Sequence, residues 1–185
     1  YAAGPVTAKV LGWVDGGKFV SEGSLAAGAK SAVVLDRTNF YAEQGGQVGD
    51  VGMMEWSGGH FTVTDTQLAG AGIVHIGTVE TGRLTPGQLV TLTVDPRRMD
   101  TMRNHTGTHL MNWALREVLG EHVNQAGSVV GPERLRFDFS HNQAVSAEQL
   151  AQVERMVNER IVADEPVTHR VMPLAEAKKV PGVRA

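Results

Sequence analysis

The sequence predicts an α+β fold, with an all-β first half over residues 1–95 and a layer of helices on a small sheet over residues 96–185. Three observations carry this expectation. Short apolar runs alternate with glycine turns up to Val94, the pattern changes at Asp95-Pro96, and beyond that point apolar residues recur at helical spacing.

In chain order, strands are expected at 6–11, 18–20, 31–35, 61–64, 73–79 and 89–94. The turns between them carry Asp15-Gly16-Gly17, Ala27-Gly28, Ser57-Gly58-Gly59, Ala69-Gly70 and Pro86-Gly87. Such a run suits a small antiparallel barrel or a sandwich. Thr91 and Thr93 alternate with Leu92 and Val94, as in a strand with one buried face. Asp95 is a favoured helix N-cap and Pro96 is tolerated in the first helical position, so a helix is expected to start there. Leu110, Ala114 and Val118, with Met111 and Leu115 beside them, form an apolar stripe, and Gly120 supplies a stop.

Ser128 to Ser140 reads as a hairpin around Gly131-Pro132, with Leu135, Phe137 and Phe139 alternating against Arg134, Arg136 and Asp138. Ser146 and Gln149 form a capping box, and Leu150, Val153, Val157 and Ile161 give the following helix its expected buried face, ending near Asp164. Val167 to Met172 is expected as a strand and Leu174 to Lys179 as a short helix.

The 185 residues, 42% of them hydrophobic, suffice for one large core or two small ones. Net charge is -3: residues 1–95 hold five Lys/Arg against nine Asp/Glu, and residues 96–185 hold twelve against eleven. Neither half has the basic footprint of a nucleic-acid binder, so only local clusters (Arg97, Arg98 and Arg103, or Arg134 and Arg136) offer one. The absence of cysteine excludes disulfides and thiolate metal ligands within this chain. No apolar run approaches the roughly 18 residues of a membrane span, so a soluble, cytoplasmic protein is expected. The start at Tyr1 and the end at Ala185 read as those of an excised piece.

Three stretches carry chemistry. In His105-Thr106-Gly107-Thr108-His109 two histidines four apart share one helix face, a spacing suited to two nitrogens converging on zinc and equally to two unrelated helix histidines. Thr106 stands where a zinc protease has its glutamate general base, which counts against that reading. Zinc needs further ligands, and His60, His75, His122, His141 and His169 have no recommending spacing; each reads as an exposed or hydrogen-bonded surface histidine. In the second stretch, Asn39 to Gln47, adjacent glycines permit close approach of backbone to a ligand and Gln47 offers both donor and acceptor; an ordinary hairpin turn is the plainer reading. In the third, Gln125 and Ser128, with Thr108, are small hydrogen-bonding groups able to distinguish a substrate hydroxyl. No Ser-His-Asp order can be assigned.

Taken together, Leu35 to Asp50, Arg103 to Leu110, Gln125 to Ser128 and Leu135 to His141 resemble the editing region of alanyl-tRNA synthetases and its free-standing relatives, in order and separation across nearly the whole chain. The resemblance implies a translation-factor-like β-barrel over 1–95 joined to a two-layer editing core like that of threonyl-tRNA synthetases over 96–185. It implies hydrolysis of tRNA(Ala) mischarged with serine or glycine. It also implies zinc on His105 and His109, completed by a Cys-x-x-x-His element beyond Ala185, so that this chain holds zinc weakly or not at all. Thr108, Gln125 and Ser128 would act at the amino acid, and Gly45, Gly46, Gln47 and Arg103 would bind substrate. A tRNA-binding module without activity of its own, or part of a free-standing editor, is the alternative.

Overall fold

The computed structural model describes residues 4–168 and 170–180. Among them, nine strands precede the first helix: β1 (Val6–Asp15), β2 (Lys18–Val20), β3 (Leu25–Ala26), β4 (Lys30–Leu35), β5 (Gly52–Trp56), β6 (Gly59–Ala69), β7 (Gly72–Thr81), β8 (Arg83–Leu84) and β9 (Leu89–Val94). Strands β1, β4, β7, β6, β5 and β9 pair antiparallel in that order, and β9 returns to β1 with Val6 opposite Leu92. This last ladder decides between barrel and sandwich: the sheet closes on itself as a six-stranded barrel, with β2 continuing the hairpin from β1.

Alternation fills the barrel. Val90 and Leu92 point inward while Leu89, Thr91 and Thr93 face out, and Val10, Val33, Met54, Phe61, Val63, Val79 and Leu84 complete the core. Gly77 is the close-approach point, since a Cβ there would lie 1.9 Å from the Thr62 carbonyl oxygen.

His75 is not at the surface, as its sequence context suggested; it is 1% exposed inside the barrel wall. Its Nδ1–H donates to the Val33 carbonyl at 3.1 Å, so Nε2 accepts from the Thr38 hydroxyl at 2.8 Å, and Thr38 Oγ1 in turn accepts from the Phe40 N–H at 3.0 Å. Burial pushes its pKa from 6.5 down to about 4. Because the folded value is depressed, the contribution to stability is full above the unfolded pKa and is lost as pH falls through that window. The expected loss is about 3 kcal/mol between pH 6.5 and 4. Urea titrations at pH 7.5 and 4.5, repeated on His75→Gln, check this; the variant should show a flatter pH dependence.

Beyond the barrel come α1 (Arg98–Leu119), β10 (Gln125–Val130), β11 (Leu135–Phe139), α2 (Ala147–Ala163) and α3 (Leu174–Ala177). The first helix begins later than the sequence suggested. Asp95 caps a tight turn instead, its carboxylate accepting from the Arg97 N–H at 2.8 Å while its carbonyl accepts from Arg98. Gly120 ends α1 with φ 113°, and the Ser146–Gln149 capping box opens α2.

Helix α1 lies along α2 and across the β10–β11 hairpin. Their shared core holds Ala114, Leu115, Val123 and Val153, with Phe137, Phe139 and Val157 against it. The expected face of α2 is only half buried: Leu150 is 54% exposed and Ile161 55%, while Val153 on the same face is 7% exposed. The strand expected at Val167–Met172 is absent among its described residues, where no neighbouring strand offers a ladder; His169 lies outside them. Among the described residues no helix is long and apolar enough to cross a membrane.

Among the described residues, an ion pair and the glycine loop help bind the barrel to the helical layer. The Arg98 guanidinium, buried at the start of α1, donates to the Asp50 carboxylate and to the Asn39 carbonyl, while Asp50 also accepts from the Tyr41 N–H at 2.5 Å. The second contact is made by the glycine loop. Gln44 and Gln47 exchange backbone hydrogen bonds across Gly45 (φ 60°) and Gly46 (φ 84°), a two-residue turn of the kind that needs positive φ at both centres. Its outgoing arm joins the free edge of β10: Val130 N–H donates to Gly46 O at 2.7 Å and Val48 N–H to Val130 O at 3.0 Å.

Candidate functional site

The site forms where this turn meets α1 and β10. His105, in the second turn of α1, brings Nδ1 to 2.7 Å from Gln47 Oε1. His109 follows one turn later, exposed, with its ring centroid 5.1 Å from that of His105 and the planes 17° apart. Burial first, and then the neighbouring His109, lowers the pKa of His105 below its ordinary value, which favours the neutral imidazole. The two rings suit two of the four positions of a zinc ion. Among the described residues no third His, Cys, Asp or Glu joins them.

The other described histidines are engaged elsewhere. His75 is in the barrel wall, His60 Nδ1 meets the Thr81 hydroxyl at 3.0 Å, and His122 and His141 hydrogen-bond to each other at 2.8 Å.

On the β10 side, Ser128 sits against the glycine turn so closely that a Cβ on Gly46 would be 2.3 Å from its Oγ and 2.7 Å from its carbonyl oxygen. Gln125 Nε2 donates to Ser128 Oγ at 3.2 Å. Thr108 is 5% exposed, and its hydroxyl donates to the Asn104 carbonyl one turn back at 2.9 Å. Its hydrogen is therefore committed to the helix, and the oxygen lone pairs are what it can offer a ligand. Asn104 Nδ2 donates to Gly131 O at 2.7 Å and Pro132 O at 3.3 Å, pinning the hairpin tip to α1. Asn104 lies inside the Arg103–Leu110 stretch, but its sequence context assigns it no role of its own.

Three stretches separated in sequence thus meet, through Gln47 on His105 and Gly46 on Ser128, with Gln125 bonded to Ser128; Thr108 and His109 follow His105 by three and four residues on α1. Arg103 stands apart. Two residues before His105, it projects from the opposite side of α1, pairs with Asp100 at 2.7 Å, and lines a groove of about 510 Å³ with Leu110, Arg160 and Ile161. Of the two arginine clusters suggested by the sequence, four members face acids: Arg97 meets Asp95, Arg98 meets Asp50, Arg103 meets Asp100 and Arg136 meets Asp138.

Residues 1–98 match the family described as tRNA synthetases class II (A). Over 180 residues the chain is 51% identical to the alanine–tRNA ligase of Thermus thermophilus, covering 97% of this chain and 20% of that protein. It is 53% identical over 154 residues to the alanine–tRNA ligase of Nitrosococcus oceani (83% of this chain, 18% of that protein) and 50% identical over 173 residues to that of Delftia acidovorans (92% and 20%). The chain spans about a fifth of the length of the curated relatives it matches. On this agreement the chain belongs to the class II (A) tRNA synthetase family and is similar over most of its length to alanine–tRNA ligases.

Proposed function

We propose that this chain is the part of an alanine–tRNA ligase that hydrolyses the ester joining serine or glycine to the 3′-terminal ribose of tRNA(Ala), while sparing alanine. The observation that supports it is the convergence of the glycine turn, the histidine pair and the Gln125–Ser128 pair on one edge of β10. Histidine rings, two side-chain amides and two hydroxyls form a polar cluster that suits the hydroxyl of serine better than the methyl group of alanine. In this reading the hairpin, α1 and α2 form an editing core like that of threonyl-tRNA synthetases, and the barrel is translation-factor-like.

Ser128, held by Gln125, and the lone pairs of Thr108 shape the amino-acid pocket. The Gly45–Gln47 turn closes it from the barrel side, and Arg103, on the far face of α1, is left to the body of the tRNA. His105 and His109 would hold zinc, which when bound supplies a Lewis acid to orient or polarise the ester. The setting is the cytoplasm, where tRNA is charged.

The test is to follow serine-charged and alanine-charged tRNA(Ala) with the full-length protein and its His109→Ala variant. The wild type should release serine and leave alanine attached, and the variant should be slower on serine by about 100-fold or more, the size of effect seen when a catalytic group or its orienting contact is lost. Equal serine release by both would remove the histidine pair from the reaction. A second reading, in which residues 1–185 alone bind tRNA without hydrolysing it, is favoured by the missing third metal ligand among the described residues. Serine release by the 185-residue chain itself would exclude that reading.

A further inference from the structure

Gln47 belongs to the barrel and His105 to α1, 58 residues apart, yet their side chains meet at 2.7 Å in a part-buried contact. Gln47 is 1% exposed. Its backbone is held on both sides, by the turn to Gln44 and by the pairing of Gly46 and Val48 with Val130, so its side chain has little freedom to move away. The amide oxygen is the end that faces the ring, and a carbonyl oxygen only accepts, so the proton of a neutral His105 must sit on Nδ1. The lone pair then lies on Nε2, at the outer end of the ring. At the other end of the amide, Gln47 Nε2 is buried with no partner among the described residues. A buried donor left unpaired weakens the fold, so the residue is poorly explained as a purely structural one.

We infer that Gln47 is a positioning residue by which the barrel fixes the tautomer of His105, presenting Nε2 to a metal or substrate. This rests on the editing reading for its purpose but not for its geometry. Histidines that ligate metals commonly donate the other ring N–H to a carbonyl or carboxylate, which orients the ring and raises its basicity. Here that acceptor comes from a different structural layer than the ligand it serves.

The deciding measurement is long-range ¹⁵N–¹H correlation of the histidine rings in the 185-residue chain at pH 8, without metal. His105 should appear as the Nδ1–H tautomer in the wild type and keep that form in Gln47→Glu, whose carboxylate also accepts. In Gln47→Leu the signal should move to the Nε2–H form or to a mixture, while the spectrum of the barrel stays in place. A wild-type His105 protonated on Nε2 would overturn the inference and needs no variant to be seen. So would a Gln47→Leu ring unchanged in tautomer. Zinc titration of the full-length protein then separates this inference from the function it serves. Affinity should fall by about 10- to 100-fold in Gln47→Leu and recover in Gln47→Glu. A correct tautomer with no zinc bound by any variant would leave the positioning role standing and sink the zinc reading instead.

Discussion

Arg98→Met is expected to lower the unfolding free energy by about 3–5 kcal/mol, the usual cost of leaving one partner of a buried ion pair without the other. The pair sits in the joint between barrel and helix, with side-chain exposures of 10% for Arg98 and 6% for Asp50. Methionine matches the length of the arginine stem but returns nothing to the Asp50 carboxylate, which keeps the Tyr41 N–H at 2.5 Å. Adding Asp50→Asn to Arg98→Met should restore part of the loss, because the amide oxygen can still accept from Tyr41 while no charge remains buried. Urea denaturation of the single and double variants measures both. A double variant less stable than the single would mean that the charge was not what made the loss large.

Gly46→Ala is expected to slow serine release from tRNA by about 100-fold, since displacing a positioned group by an ångström can cost that much. The turn requires φ 84° at this residue, and the new Cβ would meet Ser128 Oγ at 2.3 Å. Both the left-handed backbone and the contact push the turn off β10. The loss should appear in single-turnover deacylation, with tRNA affinity held, because the body of the tRNA does not depend on this contact. Gly45→Ala tests the assignment of cause. Gly45 also has positive φ (60°), but a methyl group there would have nothing within 4 Å, so it should bring backbone strain without the collision and a smaller defect. Equal defects in the two would assign the effect to the turn's conformation and not to Ser128.

Local rules make part of this molecule legible from its sequence. Ser146 and Gln149 satisfy each other within one turn of helix, and Gly120 stops α1 because its φ of 113° suits glycine best; both depend on neighbours a few residues away. The closure of the barrel is not legible, because it rests on β1 meeting β9 at the far end of the all-β half. Strand β5 escapes sequence reading for a different reason: Gly52-Met53-Met54-Glu55-Trp56 lacks the β-branched alternation that marks a strand, and pairing on both sides with β6 and β9 holds it extended. The α2 stripe promises more burial than the fold delivers, since spacing shows that Leu150 and Ile161 share a face with Val153 but not whether anything covers them.

The same division runs through the site. The histidine pair and the glycine turn are visible as motifs, whereas the link between Gln47 and His105 is a product of the tertiary fold. His75 shows the converse: nothing in Val74-His75-Ile76 distinguishes a wall histidine from a surface one until Val33 and Thr38 are brought against its two nitrogens.

The way the glycine turn joins β10 also bears on solubility. A two-stranded hairpin has two unpaired edges, and a bare edge invites pairing with another chain. Here the edge at Val130 is occupied by Gly46 and Val48 from the barrel. A helical layer produced without residues 1–95 would expose that edge next to the already exposed Val129, and its first failure would be self-association in solution, before any question of catalysis arose.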